Sequence, residues 1–182
     1  MVHKVSLIAA PTGLSPGGYV KKAFADRNAP QTPVAELEVV KGLTGWRIRL
    51  EWDCSDPVTS LADDVDRFVD AAAILAPGAP DAPWMSMGAP GKPVEGALWR
   101  ADREALFGVR AEGLGTVERS DAPAGWSAMA DRQAGKWRVS FHAPSWSALD
   151  AQQQLAVAVW QGAKGDRGGL KSVSSGWIAV GS

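Results

Sequence analysis

Residues 46–52 alternate strictly between apolar and charged side chains. Trp46, Ile48, Leu50 and Trp52 fall on one phase and Arg47, Arg49 and Glu51 on the other. Successive side chains of a strand point to opposite faces, so this run forms a β-strand with one face buried and one face wet. Residues 136–142 repeat the pattern, with Trp137, Val139 and Phe141 on the apolar phase and Lys136, Arg138, Ser140 and His142 on the polar phase. Two further runs, 67–75 and 155–160, are more continuously apolar, as expected of strands covered on both faces. Residues 35–40 read as a strand before a turn at 42–45, and 98–100, 106–110, 126–130 and 177–180 as shorter strands. The 20 Gly and 12 Pro are spread between these runs. Many turns then favour one antiparallel β-sandwich over two tethered domains. The boundaries expected are an extended N-terminal segment over residues 1–34, irregular from residue 10, and a sandwich domain over 35–182. Helix signals are weak: one is expected at 147–154 with Ser147 as its cap, and another short one at 61–66.

Composition removes several functions. A net charge of -1 with no Lys/Arg run leaves no footprint for nucleic acid. No run approaches the roughly 18 apolar residues that a membrane span needs. Residues 1–11 start basic, but their apolar stretch is too short for a secretory signal. The single cysteine, Cys54, excludes an intrachain disulfide and a Cys-rich zinc or iron–sulfur site, and is expected to be a small, half-buried hydrophobe. With no Cys-x-x-Cys-His, a covalently attached haem is excluded too. His3 and His142 are the two histidines, and no Gly-x-Ser-x-Gly occurs, so a hydrolytic triad has no support. Asp63, Asp64 and Asp66 lack the Gly and Glu of a calcium loop and read as a solvated turn. Residues 165–169 are glycine-rich but lack the Gly-Lys-Ser/Thr ending of a phosphate loop.

Nine tryptophans are many for 182 residues. Trp46, Trp52 and Trp137 lie on inward phases. Trp84, Trp99, Trp146 and Trp160 lie near loops or strand ends, where they can line an apolar pocket. A tryptophan-rich sandwich also suits a haem-free module that binds carbohydrate or another apolar ligand, and that alternative stays open. Met85 and Met87 share one turn-rich loop; by themselves they read as gap-filling methionines, and Lys171 as a surface lysine.

Two blocks alter that weighting. The first is Phe68-Val69-Asp70-Ala71-Ala72-Ala73-Ile74-Leu75, then Pro83-Trp84-Met85-Ser86-Met87-Gly88, then Trp99-Arg100-Ala101-Asp102. The second is Leu155-Ala156-Val157-Ala158-Val159-Trp160-Gln161-Gly162, then Gly165-Asp166-Arg167-Gly168-Gly169-Leu170-Lys171-Ser172-Val173-Ser174. In order and spacing they resemble the haem-binding gamma subunits of ethylbenzene dehydrogenase and its relatives, the type II branch of the dimethyl sulfoxide reductase family. The resemblance covers residues 35–180. The family usually has a longer aromatic run before its Trp-Lys-Ala segment, where this chain has Gly96-Ala97-Leu98-Trp99-Arg100.

The resemblance implies a mainly β fold, an antiparallel β-sandwich with short helices and long loops holding one non-covalent haem b. It implies a methionine and a lysine as axial ligands. Carried onto this chain, these are Met87 and Lys171, with Met85 in reserve because the Met-Gly step matches the family pattern. Only one of Met85 and Met87 is expected to face the iron. Trp99 is expected in the pocket wall, and Arg167 and Lys92, which flank the ligand loops, either pair with propionates or are plain surface charges. A thioether favours ferrous iron, and a lysine amine binds only once deprotonated, for which burial is required. The implied role is electron transfer without catalysis in this chain. The implied partners are a molybdopterin-carrying alpha subunit, an iron–sulfur beta subunit and an external electron carrier. The resemblance implies a periplasmic complex; with no signal peptide in this chain, a cytoplasmic location or export with a partner is the alternative.

Overall fold

A computed structural model describes residues 2–11, 27–61 and 67–181. Its strands, in chain order, are β1 (Val2–Ala9), β2 (Val34–Gly42), β3 (Gly45–Asp53), β4 (Ala71–Pro77), β5 (Val94–Arg100), β6 (Phe107–Ala111), β7 (Glu118–Asp121), β8 (Ser127–Gln133), β9 (Lys136–Ala143), β10 (Gln154–Trp160), β11 (Ser172–Ser174) and β12 (Ile178–Ala179). One short helix, α1 (Ser147–Gln152), precedes β10. The strands pair in the order β7-β6-β5-β4-β10-β11-β1-β2-β3-β9-β8, with β12 against β10. The sheet is antiparallel and curls on itself. β1 makes the turn from one layer to the other: residues 2–6 pair with β2, and residues 7–9 pair with β11. Part of the expected N-terminal segment is therefore a central strand. The irregular stretch expected from residue 10 falls largely on 12–26, outside the described residues. The helix expected at 61–66 and the aspartates at 63, 64 and 66 also lie outside them.

Period-two alternation becomes the core between the layers. Trp46, Ile48, Leu50 and Trp52 of β3 and Trp137, Val139 and Phe141 of β9 face Ala72 and Ile74 of β4, Trp99 of β5, and Leu155, Val157 and Val159 of β10. Trp99 stands edge-on to Trp137 at 5.1 Å and to Trp52 at 6.3 Å. Each such side chain contributes roughly 1.5–3 kcal/mol on burial. All seven residues of β4 are buried. The reason is that its other phase, Ala71, Ala73 and Leu75, is covered as well, by a second apolar cluster on the outer face of this layer.

β4 starts at Ala71 rather than at residue 67 because Asp70 anchors the turn into it. The buried carboxylate accepts hydrogen bonds from the Gly162 N–H at 2.8 Å, Trp137 Nε1 at 2.9 Å and the Val58 N–H at 3.0 Å. Cys54 Sγ lies 3.5 Å from it. Burial pushes the Cys54 thiol up to about 11, with the Asp70 carboxylate adding to the effect. Cys54 is a small hydrophobe as expected, but fully rather than half buried. In α1 the cap residue is Trp146, which makes no capping bond with its side chain; Ser147 is instead the first helical residue.

Candidate functional site

The outer phases of β4, β5, β6, β10 and β11 form the floor of a cavity of about 350 Å³, made of Ala73, Leu75, Leu98, Val109, Ala158 and Val173. Alanines at the middle of the floor leave depth that larger residues would fill. Neighbouring Ala71 and Ala156 extend the same apolar face. Three loops raise the walls. The β4–β5 loop supplies Trp84, Met85 and Met87, the β6–β7 connection supplies Leu114, Gly115 and Val117, and the chain after β10 supplies Gly168, Gly169 and Lys171.

The methionine loop is locked by its own backbone. The Met87 N–H donates to the Trp84 carbonyl at 2.9 Å and the Gly88 N–H to the Pro83 carbonyl at 2.8 Å. This pair of bonds is a Schellman closure, which places its penultimate residue in the left-handed region. That residue is Met87, at φ 58°, followed by Gly88 at φ 85°. A side chain there costs about 1–2 kcal/mol. The Gly113 N–H holds the Met87 carbonyl at 2.9 Å. Trp84 roofs the turn: its Nε1 donates to the Ser174 carbonyl at 2.8 Å, and its ring packs on Trp177 at 5.3 Å. The loop is a closed turn, and both Met85 and Met87 line the cavity, where only one was expected to face the iron.

Lys171 approaches from the loop after β10. Arg167 and Leu170 exchange backbone hydrogen bonds of 3.0 and 2.8 Å, closing a tight turn just before it. Trp160 Nε1 donates to the Gly168 carbonyl at 3.0 Å, and its ring centre lies 5.0 Å from Lys171 Nζ. The Lys171 carbonyl accepts from the Ala10 N–H at 2.9 Å, tying the loop to the end of β1. Among the described residues the cavity lining holds two cations, Lys171 and Arg119, and no carboxylate. Burial pulls the Lys171 amine down to about 8, and the Arg119 guanidinium pushes the same way.

The structure thus brings Met85, Met87 and Lys171 to one cavity. Arg167 borders an alcove that adjoins it. Two expected residues are elsewhere. On β5 the side chains alternate, so Leu98 faces the cavity and Trp99 faces the core between the layers. Lys92 is ion-paired with Asp81 and is not part of the lining. The wall tryptophans are Trp84 and Trp160, both inside the motif blocks. Arg119 was not singled out from the sequence, and nothing around it forms a motif.

Fold and site together define a curled β-sandwich whose outer face carries an apolar cavity with thioether and amine donors. No family model matches the chain. It is 31% identical, over 94% of its length, to a Haloferax mediterranei protein named as a respiratory nitrate reductase heme subunit, and spans 60% of that relative's length. It is 30% identical, over 96% of its length, to the dimethylsulfide dehydrogenase subunit gamma of Rhodovulum sulfidophilum, spanning 68% of that protein. The chain belongs to the gamma-subunit family of ethylbenzene dehydrogenase-like molybdenum enzymes, the family its two motif blocks resemble.

Proposed function

We propose that this chain is the haem-carrying electron-transfer subunit of a molybdenum oxidoreductase, with one non-covalent haem b in the outer-face cavity. The observation that carries the reading is the convergence of Met85, Met87 and Lys171 on one apolar chamber. The donor set fits the group. Thioether sulfur and a neutral amine are competent iron ligands, and the amine is already lowered to about 8. Cys54 is buried in the core between the layers, remote from any role in covalent attachment. Relatives named as a heme subunit and as a dehydrogenase subunit gamma support the same reading.

Lys171 and Met87 would hold the iron. Met87 is favoured because its backbone is fixed on both sides, by Trp84 and by Gly113. Met85 is the reserve. A haem held by two such donors would supply one-electron transfer. The chain's own residues shape the chamber, exclude water with Trp84 and Trp160, and keep the amine ready to deprotonate. Electrons would pass between the iron–sulfur beta subunit of a complex, whose alpha subunit carries the molybdopterin, and an external carrier. We place that complex in the periplasm. Among the described residues no helix is long and apolar enough to cross a membrane.

None of the nine tryptophans is exposed, so no ring stands out as a stacking platform for sugar. The test is the visible spectrum of the purified native complex. A Soret band and a b-type pyridine haemochrome are expected, and their absence overturns the reading. Lys171→Ala and Met87→Ala should each abolish the low-spin spectrum. Its loss with Met85→Ala but not with Met87→Ala would reverse the assignment of the sulfur.

A further inference from the structure

The cavity opens sideways into an alcove of about 180 Å³. The two share Leu98, Arg119, Trp160 and Gly168. Three guanidinium groups border the alcove, on Arg100, Arg119 and Arg167, and they differ in what already engages them. Arg100 is clamped by Asp102 through hydrogen bonds of 3.0 and 2.8 Å. Arg167 lies 4.5 Å from the centre of the Phe68 ring. Arg119, on the exposed strand β7, has no ion pair or hydrogen bond among the described residues. The carboxylate in the alcove lining, Asp166, is turned away: it accepts from Arg27 at 2.8 Å and from the Gln161 N–H at 3.1 Å.

Among the described residues Arg119 has no ion partner and the chamber lining has no carboxylate, and such a site selects one kind of ligand. That ligand has an apolar body and carries carboxylates at one edge. A guanidinium suits such an edge because its planar fork binds a carboxylate through two parallel hydrogen bonds. We propose that the alcove is a carboxylate subsite in which Arg119 engages the propionate edge of the porphyrin and selects the free acid over neutral forms. This rests on the haem reading above. Arg119 serves the cavity from outside both motif blocks, and its exposure leaves the side chain room to close on a ligand.

The test uses metal-free protoporphyrin and its dimethyl ester, so that neither Met87 nor Lys171 can contribute through iron. Binding to the full chain is read by quenching of tryptophan fluorescence, since Trp84 and Trp160 line the cavity. The parent should bind the free acid at least about tenfold more tightly than the ester, as expected of one charge-assisted bidentate pair. Arg119→Gln should remove most of that preference by weakening the acid and leaving the ester unchanged, and Arg119→Lys should restore part of it. An unchanged circular dichroism spectrum of each variant controls for folding. Equal weakening of acid and ester, or of neither, overturns the proposal while leaving the haem reading intact. If the parent binds neither porphyrin, the proposal falls, and the haem reading is decided by the Soret band of the native complex.

Discussion

Ala72 and Ala73 are adjacent on β4, yet the same substitution at each should have opposite effects. Ala72 is fully buried in the core between the layers, whereas Ala73 forms the floor of the cavity. Leucine adds three carbons to alanine. In the cavity they have about 350 Å³ to occupy, and at about 0.8 kcal/mol per buried CH₂ they contribute at most about 2.4 kcal/mol. Ordering the new side chain removes about 0.5–1 kcal/mol. Ala73→Leu should therefore stabilise the cofactor-free chain by about 1.5 kcal/mol, a rise in Tm of roughly 3–6 °C for a domain of this size. It should also displace haem. Ala72→Leu has no space to enter and should destabilise by about 1–3 kcal/mol through overpacking. Urea unfolding of the cofactor-free proteins gives the stabilities, and a hemin titration followed at the Soret band gives the binding. Two results would refute the reasoning: a loss of stability at Ala73 equal to that at Ala72, or full haem affinity in Ala73→Leu.

Gly88→Ala should deform the methionine loop. At φ 85° an added Cβ meets the Lys92 carbonyl at 2.6 Å, and a loss of about 2 kcal/mol or more in thermal unfolding is expected from strain and clash together. Asp70→Asn should destabilise by about 3 kcal/mol or more in urea unfolding, because an amide cannot accept from the Gly162, Val58 and Trp137 donors as a carboxylate does. Asp166 should make stability fall as pH rises. Burial lifts its carboxyl from 3.8 to about 6, so the folded chain binds more protons than the unfolded chain between those values. The stability associated with this group is then fully present below about pH 4 and lost as pH passes 6, a change of order 3 kcal/mol. Urea midpoints of the parent and Asp166→Asn between pH 4 and 7 check it: the parent should gain on the variant as pH falls, and parallel curves would contradict the reasoning.

How legible each element was depends on whether its two faces differ. β3 and β9 have one wet face, so their phase could be read directly from the sequence. β5 runs Gly96-Ala97-Leu98-Trp99 with both faces covered, and nothing in such a run says which phase meets the core; that is why Trp99 was expected in the pocket wall and Leu98 was not. β1 was hidden for another reason. Of its side chains only Val5 and Leu7 are buried, because the strand divides its pairing between two layers. The methionine pair shows the limit of spacing arguments in loops. In extended chain a separation of two residues puts both side chains on one face, but here no strand sets the phase: the turn closed by Pro83, Trp84, Met87 and Gly88 brings Met85 and Met87 to the cavity. Lys171 was legible only through the block around it, since a glycine pair before a lysine has no chemical meaning of its own. Arg119 reaches the cavity by tertiary placement alone.

What the fold does for Lys171 can be put in numbers. An amine at its ordinary value of 10.5 would require about 5 kcal/mol to deprotonate at pH 7, and one at about 8 requires about 1.4 kcal/mol. Burial, with Arg119 in second place, therefore removes roughly 3 kcal/mol from the cost of deprotonation that iron would have to meet if Lys171 is its ligand. A carboxylate beside Lys171 would act in the opposite sense, stabilising the ammonium and competing with ligation. Among the described residues the lining has no Asp or Glu, and the outer faces of β4 and β10 present Ala71, Ala73, Leu75, Ala156 and Ala158. An alternating strand lets one phase hold the two layers together while the other phase is selected for chemistry. Substitutions on the outer phase should therefore shift ligand binding while the fold stays intact.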